Sequence, residues 1–263
     1  AWERLLESQK AVDFLVPLGT TAETPCLTDE EKSTLLKVAV AHAEGRPVIA
    51  GAGTNSLTGT LANIDLLAPC NPDAFLVVVP YYNKPTQKGI SEYFKAVADY
   101  SPKPVVLYNV PGRTGVNMAA ETTLELARHP NIIAVKEASG WYAQISKIIS
   151  SAPEGFRVLC GNDEETLSLM ATGAAGVISV ASNVAPLQVT ALAHAVLDGN
   201  LVRAREMQKR LTPLFKALFV ESNPIPVKAA MAIKGMMKNE LRLPLTPCSD
   251  STYALLESVL KTL

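Results

Sequence analysis

Paired cysteines are missing from this sequence. The four present, Cys26, Cys70, Cys160 and Cys248, are scattered, with no C-x-x-C pair. That usage excludes a small disulfide-stapled fold and suits free thiols in a cytosolic protein. Long apolar runs are missing too: stretches such as AFLVVVP (74–80) fall far short of the roughly 20 residues that span a bilayer. The opening AWERLLESQK is charged and reads as helix rather than as a secretory signal. Neither sign of charge is in excess, with 24 Lys and Arg against 25 Asp and Glu dispersed along the chain. No basic stripe therefore points to nucleic acid, and no acidic tail to a charged partner. The three histidines, His42, His129 and His194, lie on or beside helix-like segments, and no H-x-H, H-E-x-x-H or Cys/His cluster supports a metal. These absences leave a soluble, cytoplasmic chain with no nucleic-acid, membrane or metal chemistry as the expectation.

What the chain does have is apolar content: 48% of its 263 residues, enough for a sizeable core. Seven short runs are rich in Val, Ile, Leu and Phe, at 12–19, 47–52, 74–80, 104–110, 132–137, 157–163 and 176–180. They are nearly continuous rather than alternating, as expected of strands buried on both faces. Helix-like segments separate them; TDEEKSTLLKVAVAHAEG opens on a Thr cap with an acidic first turn. Strand and helix in alternation predict an α/β fold with a parallel sheet, and seven such units favour a (β/α)8 TIM barrel over a Rossmann sheet. No G-x-G-x-x-G opens a helix, and GAGTNS is only a half-match. The barrel is assigned to 1–198. Beyond it, 199–263 reads as a C-terminal helical bundle. Because a barrel has eight strands and the sequence opens within a helix, the first strand is expected before Ala1, leaving a gap or a shifted pairing between the 12–19 and 176–180 runs.

In such a barrel, reactive groups sit at the C-terminal ends of strands. Those ends carry Thr20 and Thr21, Tyr81 and Tyr82, Tyr108, Lys136, Gly161 and Ser179. Lys136, in NIIAVKEASG, has two readings. It either pairs with Glu137 or snorkels past the rim, or it points inward. Neighbours on a strand face opposite ways, so an inward Lys136 is separated from Glu137. Burial would then favour its neutral amine, a nucleophile able to form a Schiff base with a carbonyl substrate. Arg113, in the glycine-flanked NVPGRTG, is either a surface charge or a bidentate carboxylate ligand over the barrel mouth. The GTTAET turn lacks the ending of a phosphate loop and better suits a carboxylate held by backbone N–H groups.

Together, GTTAE, VIAGAGTNS, VVVPYYNKPTQ, LYNVPGRTG, AVKEASG, GVISVASNV and NPIPVK resemble the dihydrodipicolinate synthase family. These are pyruvate-dependent class I aldolases that also include N-acetylneuraminate lyase. The resemblance implies a lyase of lysine and diaminopimelate biosynthesis, condensing pyruvate with L-aspartate 4-semialdehyde to give 4-hydroxy-tetrahydrodipicolinate. It implies no cofactor beyond a covalent pyruvate Schiff base on Lys136. Tyr108 would shuttle protons in a relay with Thr20 and with Tyr82, the latter reaching the site of a neighbouring subunit in a homo-oligomer, a tetramer by the family's habit. Thr21 would hold the pyruvate carboxylate, Arg113 the carboxylate of the semialdehyde, and Gly161 and Ile178 would line the pocket. Two other readings are a different pyruvate aldolase acting on a sugar acid, against which the arginine in NVPGRTG speaks, and a silent barrel serving as a scaffold. Two departures from the family pattern stand out. Ala22 replaces a glycine, costly if that position needs positive φ, and Trp141 is expected to reshape the site entrance.

Overall fold

The computed structural model describes residues 1–263. Six strands form one parallel sheet in strictly sequential order: β1 (Ile49–Gly51), β2 (Ala74–Val78), β3 (Val105–Asn109), β4 (Ile132–Glu137), β5 (Arg157–Cys160) and β6 (Gly176–Val177). A doubly wound sheet would reverse strand order part-way, whereas consecutive parallel neighbours around a curled sheet are the barrel arrangement. Helices α1 (Trp2–Ser8), α2 (Asp29–Ala41), α3 (Leu57–Leu67), α4 (Gln87–Tyr100), the short α5 (Pro111–Thr114), α6 (Ala120–Leu126), α7 (Tyr142–Ser151), α8 (Thr166–Thr172) and α9 (Pro186–Leu197) accompany it. Then come α10 (Leu201–Ala217), α11 (Ile225–Ile233) and α12 (Asp250–Leu260). No helix is long and apolar enough to cross a membrane. All four cysteines are free.

Each strand has two different faces because side chains alternate across it. Phe75, Val77, Val105, Leu107 and Val135 point outward into the large core shared with the helices. Ala74, Leu76, Val106, Tyr108, Val110 and Ala134 form a separate, smaller cluster on the concave face. Lys136 follows Ala134 by two residues and so shares its face, with Glu137 opposite. Helix starts are fixed locally: Thr28 and Glu31 form a reciprocal capping box on α2, and Ser56, Thr86, Asn200 and Ser249 each accept an N–H three residues on. The outer core runs without a break from the sheet helices into Leu211, Phe215 and Val227 of α10 and α11.

Six of the seven apolar runs are strands. The first is a correction. Residues 12–19 make only a single parallel bridge, Leu15 to Val48. The Leu15 N–H donates to Pro47 O at 2.9 Å, and Leu15 O and Pro17 O accept from Ile49 and Gly51. Pro17 has no N–H to extend a ladder, and Leu18 turns to φ 59°, so the run leaves the extended form at once. The last run also stops early, at Val177, because Val180 enters the helical region ahead of a short turn over Ala181–Asn183. Asp163 caps that turn, accepting from the Val180 and Ala181 N–H groups at 3.1 and 3.0 Å.

Candidate active site

The concave face and the loops beyond the strand ends enclose a cavity of about 970 Å³. Seven of the eight candidate residues line it: Thr20, Thr21, Tyr108, Arg113, Lys136, Gly161 and Ile178. The eighth, Tyr82, does not. Its side chain is 87% exposed, at φ 74°, beyond this chain's own cavity. The same cavity is also bordered by the 12–19 run and by β6, and His194 of α9 meets Asp13 at 2.9 Å alongside it.

Tyr108 and Lys136 are register partners on β3 and β4. The Lys136 amine lies 4.4 Å from the centroid of the buried Tyr108 ring. That face, negative in its quadrupole, suits either an ammonium or the cationic iminium of a Schiff base. The lysine is half-buried rather than sealed in the core, which leaves it open to a ligand entering the cavity. Gly161 makes room for it: a Cβ there would lie 3.1 Å from Lys136 Cε and 2.7 Å from Ala138 Cβ. Burial pushes the neighbouring Cys160 thiol up to about 12, so it stays protonated and does not compete as a nucleophile.

The threonine turn is built from non-local contacts. Thr20–Ala22 form one turn of 3-10 helix, followed by Glu23 in the left-handed region at φ 53°. Ala22 is therefore not the strained position that the sequence suggested; it sits at negative φ, and Glu23 carries the unusual conformation. Gly51 lets this segment approach, since a Cβ there would fall 1.9 Å from Leu18 O. Glu23 is buried and accepts from Lys228 of α11 at 2.6 Å and from the Arg242 N–H at 2.8 Å. Asn223 was missed as a site residue, although NPIPVK contains it. Its amide donates to Thr21 Oγ1 at 3.0 Å and its carbonyl accepts from Arg113 at 3.1 Å, joining the two expected carboxylate ligands. Trp141 is another correction. It is exposed at the start of α7 and does not line the cavity.

Two buried carboxyls flank the site without entering it. Burial pushes Glu137 and Asp163 above the usual carboxylate range, opposed by hydrogen bonds from Asn109 and Ser139 to the first and from the Val180 and Ala181 N–H groups to the second.

An amine over a phenol at the C-terminal end of a curled parallel sheet, with threonines and an arginine around one cavity, is equipped to bind a keto acid covalently. Known proteins are similar to it along nearly the whole chain. The 4-hydroxy-tetrahydrodipicolinate synthase of Thermosipho melanesiensis is 45% identical over 262 residues, 99% of this chain and 91% of its own. The crystal structure of dihydrodipicolinate synthase from Thermotoga maritima superposes with a TM-score of 0.97 at 44% identity, covering 99% of this chain and 90% of that one. The chloride-inhibited dihydrodipicolinate synthase of Acinetobacter baumannii, crystallised with pyruvate, gives 0.96 at 35% identity, covering 100% and 92%. The sequence profile of the Dihydrodipicolinate synthetase family matches residues 5–263, and the chain belongs to that family.

Proposed function

We propose that the protein condenses pyruvate with L-aspartate 4-semialdehyde to give 4-hydroxy-tetrahydrodipicolinate, through a Schiff base on Lys136. The observation that carries this reading is the Lys136 amine poised over Tyr108 inside a cavity that also holds Thr21 and Arg113. The relative crystallised with pyruvate supports it.

The Lys136 amine adds to the pyruvate C2 carbonyl, and loss of water gives the iminium. Removal of a C3 proton converts this to an enamine, with the lysine nitrogen as the electron sink. The enamine carbon attacks the aldehyde carbon of the second substrate, forming the carbon–carbon bond while the aldehyde oxygen takes up a proton. The amino group of the adduct then displaces Lys136 from C2, closing the ring and freeing the amine. Tyr108 moves the protons, with Thr20 and the Tyr82 of a second copy completing the hydroxyl relay. Thr21 holds the pyruvate carboxylate, Arg113 holds that of the semialdehyde, and Gly161 and Ile178 shape the pocket. The lysine supplies the electrophilic activation, so the scheme calls for no metal or dissociable cofactor.

The sheet with its paired 12–19 run belongs, in this reading, to a (β/α)8 barrel over 1–198. The remaining stave has its place between that run and β6, both of which border one cavity. Residues 199–263 form the C-terminal helical unit, and the working assembly is a cytoplasmic homo-oligomer, a dimer of dimers.

The test is a coupled assay of product formation on the parent protein and on Arg113→Ala. The expected result is turnover by the parent, and for the variant a semialdehyde KM raised by about 10–100-fold with the pyruvate KM within about threefold, the signature of a lost charged hydrogen bond to one substrate. Equal rises for both substrates would mean that Arg113 only braces Asn223. No condensation by the parent would overturn the activity itself.

A further inference from the structure

Behind the Tyr108–Lys136 pair, on the opposite face of the same two strands, lies a second register pair: Asn109 on β3 and Glu137 on β4. Both are fully buried, at 0% exposure. Glu137 Oε1 accepts from the Ser139 N–H at 2.8 Å and from Asn109 Nδ2 at 3.1 Å. Its Oε2 accepts from Asn109 Nδ2 at 3.1 Å and from Gln144 Nε2 at 3.3 Å. No cation touches it. A buried carboxylate held only by neutral donors is costly to keep, and the reaction scheme gives it nothing to do.

The amides around it form a string with one permitted orientation. The Met118 N–H donates to Asn109 Oδ1 at 3.0 Å, which turns the Asn109 amide nitrogen toward Glu137 and toward Asn117 Oδ1, 2.8 Å away. Asn117 Nδ2 in turn donates to Gln144 Oε1 at 2.8 Å, leaving Gln144 Nε2 for Glu137. The same cluster therefore ties together β3, the end of the segment bearing Arg113, β4 and the start of α7. Main-chain bonds continue it across the sheet: the Ala138 N–H donates to Asn109 O at 2.9 Å, and the Gly161 N–H to Glu137 O at 2.8 Å.

We infer that Glu137 is a positioning residue for the reaction: paired with Asn109 on the outer face, it fixes the registry in which Lys136 meets Tyr108 on the inner face. The inference rests on the assignment of Lys136 and Tyr108 made above. Its chemical content lies in the proton-transfer steps, because a displacement of about 1 Å between amine and phenol is enough to cost on the order of 100-fold in rate. Capture of the pyruvate carboxylate by Thr21, which belongs to another part of the chain, is left largely intact.

Glu137→Gln tests this with little change of shape. The new amide sets a donor against a donor somewhere in the string, whichever way Asn117 and Gln144 turn. Adding Asn109→Asp removes the conflict. The acceptor then sits on β3 and the amide on β4, and Asn117 and Gln144 turn over. Every side-chain donor of the string again meets an acceptor, with only the long contacts of Asn109 and Gln144 to Met118 O, 3.4 and 3.3 Å, given up. Glu137→Gln is expected to fold and to be trapped by borohydride on pyruvate, with KM values within about threefold of the parent and kcat lower by about 30-fold; the double variant recovers at least about 10-fold of that. If Glu137→Gln does not fold, Gln144→Met, which removes a donor to Glu137 and the acceptor of Asn117 Nδ2 at the half-buried rim, is expected to lower kcat by about threefold with an unfolding midpoint close to the parent's. A folded Glu137→Gln with kcat within about twofold of the parent, a double variant that folds without recovery, or an unaffected Gln144→Met standing in for an unfolded Glu137→Gln overturns the inference. Those outcomes do so alone if the parent forms its adduct at Lys136. An unmodified Lys136 in the parent overturns the underlying assignment, and this inference with it.

Discussion

Borohydride added with pyruvate leaves one reduced pyruvyl group on the protein, and peptide mass places it on Lys136. Three lysines line the cavity, so the experiment discriminates. Lys228 is engaged by Glu23 at 2.6 Å, and Lys238 is 83% exposed beside Glu240. Only Lys136 lies on the concave face against a buried phenol. Lys136→Ala is expected to form no adduct and to lose turnover by on the order of 10³-fold or more, since the covalent route disappears with the amine. The fold should survive, because the side chain is only half-buried and makes no ion pair. An adduct on Lys228 or Lys238, or a Lys136→Ala variant that retains most of its turnover, would remove the Schiff-base assignment.

The largest stability effect is expected at a pair the reaction does not use. Lys228 and Glu23 are 20% and 8% exposed and 2.6 Å apart, joining α11 to the threonine turn. Lys228→Ala leaves the Glu23 carboxylate buried, with the Arg242 N–H as its remaining partner. Breaking a buried pair in this way costs about 3–5 kcal/mol, and the lysine's partial exposure lowers the expectation here to about 2–4 kcal/mol. Urea unfolding measures it, and Glu23→Gln combined with Lys228→Met should regain most of the loss because no charge is then stranded. The pyruvate KM of Lys228→Ala should also rise, since Glu23 follows Thr20 and Thr21 directly. A loss below about 0.5 kcal/mol would class the contact with ordinary surface pairs.

The difference between these two residues marks what could be read from the sequence. Lys136 was legible because strand alternation alone separates it from Glu137, and the structure places the pair on opposite faces. The same local reasoning found six strands and the Thr28 cap. Lys228 was not legible, because its partner lies 205 residues away and no local pattern announces the pairing. Asn223 reaches Thr21 across 202 residues, and His194 reaches Asp13 across 181. Local pattern also overstated the first run: its composition is that of a strand, yet Pro17 and the left-handed Leu18 end the pairing after one bridge. Ala22 shows the converse, a residue suspected of strain while the left-handed position lay one residue further on.

Tyr82 carries a different kind of consequence. Its phenol stands almost wholly outside the chain that encodes it, so with the relay read as above, a competent site is a property of two chains. The quantity of working enzyme then rises with the square of chain abundance while copies are dilute and becomes proportional only once they are associated. Supply of the chain thereby acts as a threshold on flux, a control exerted by mass action with no effector bound.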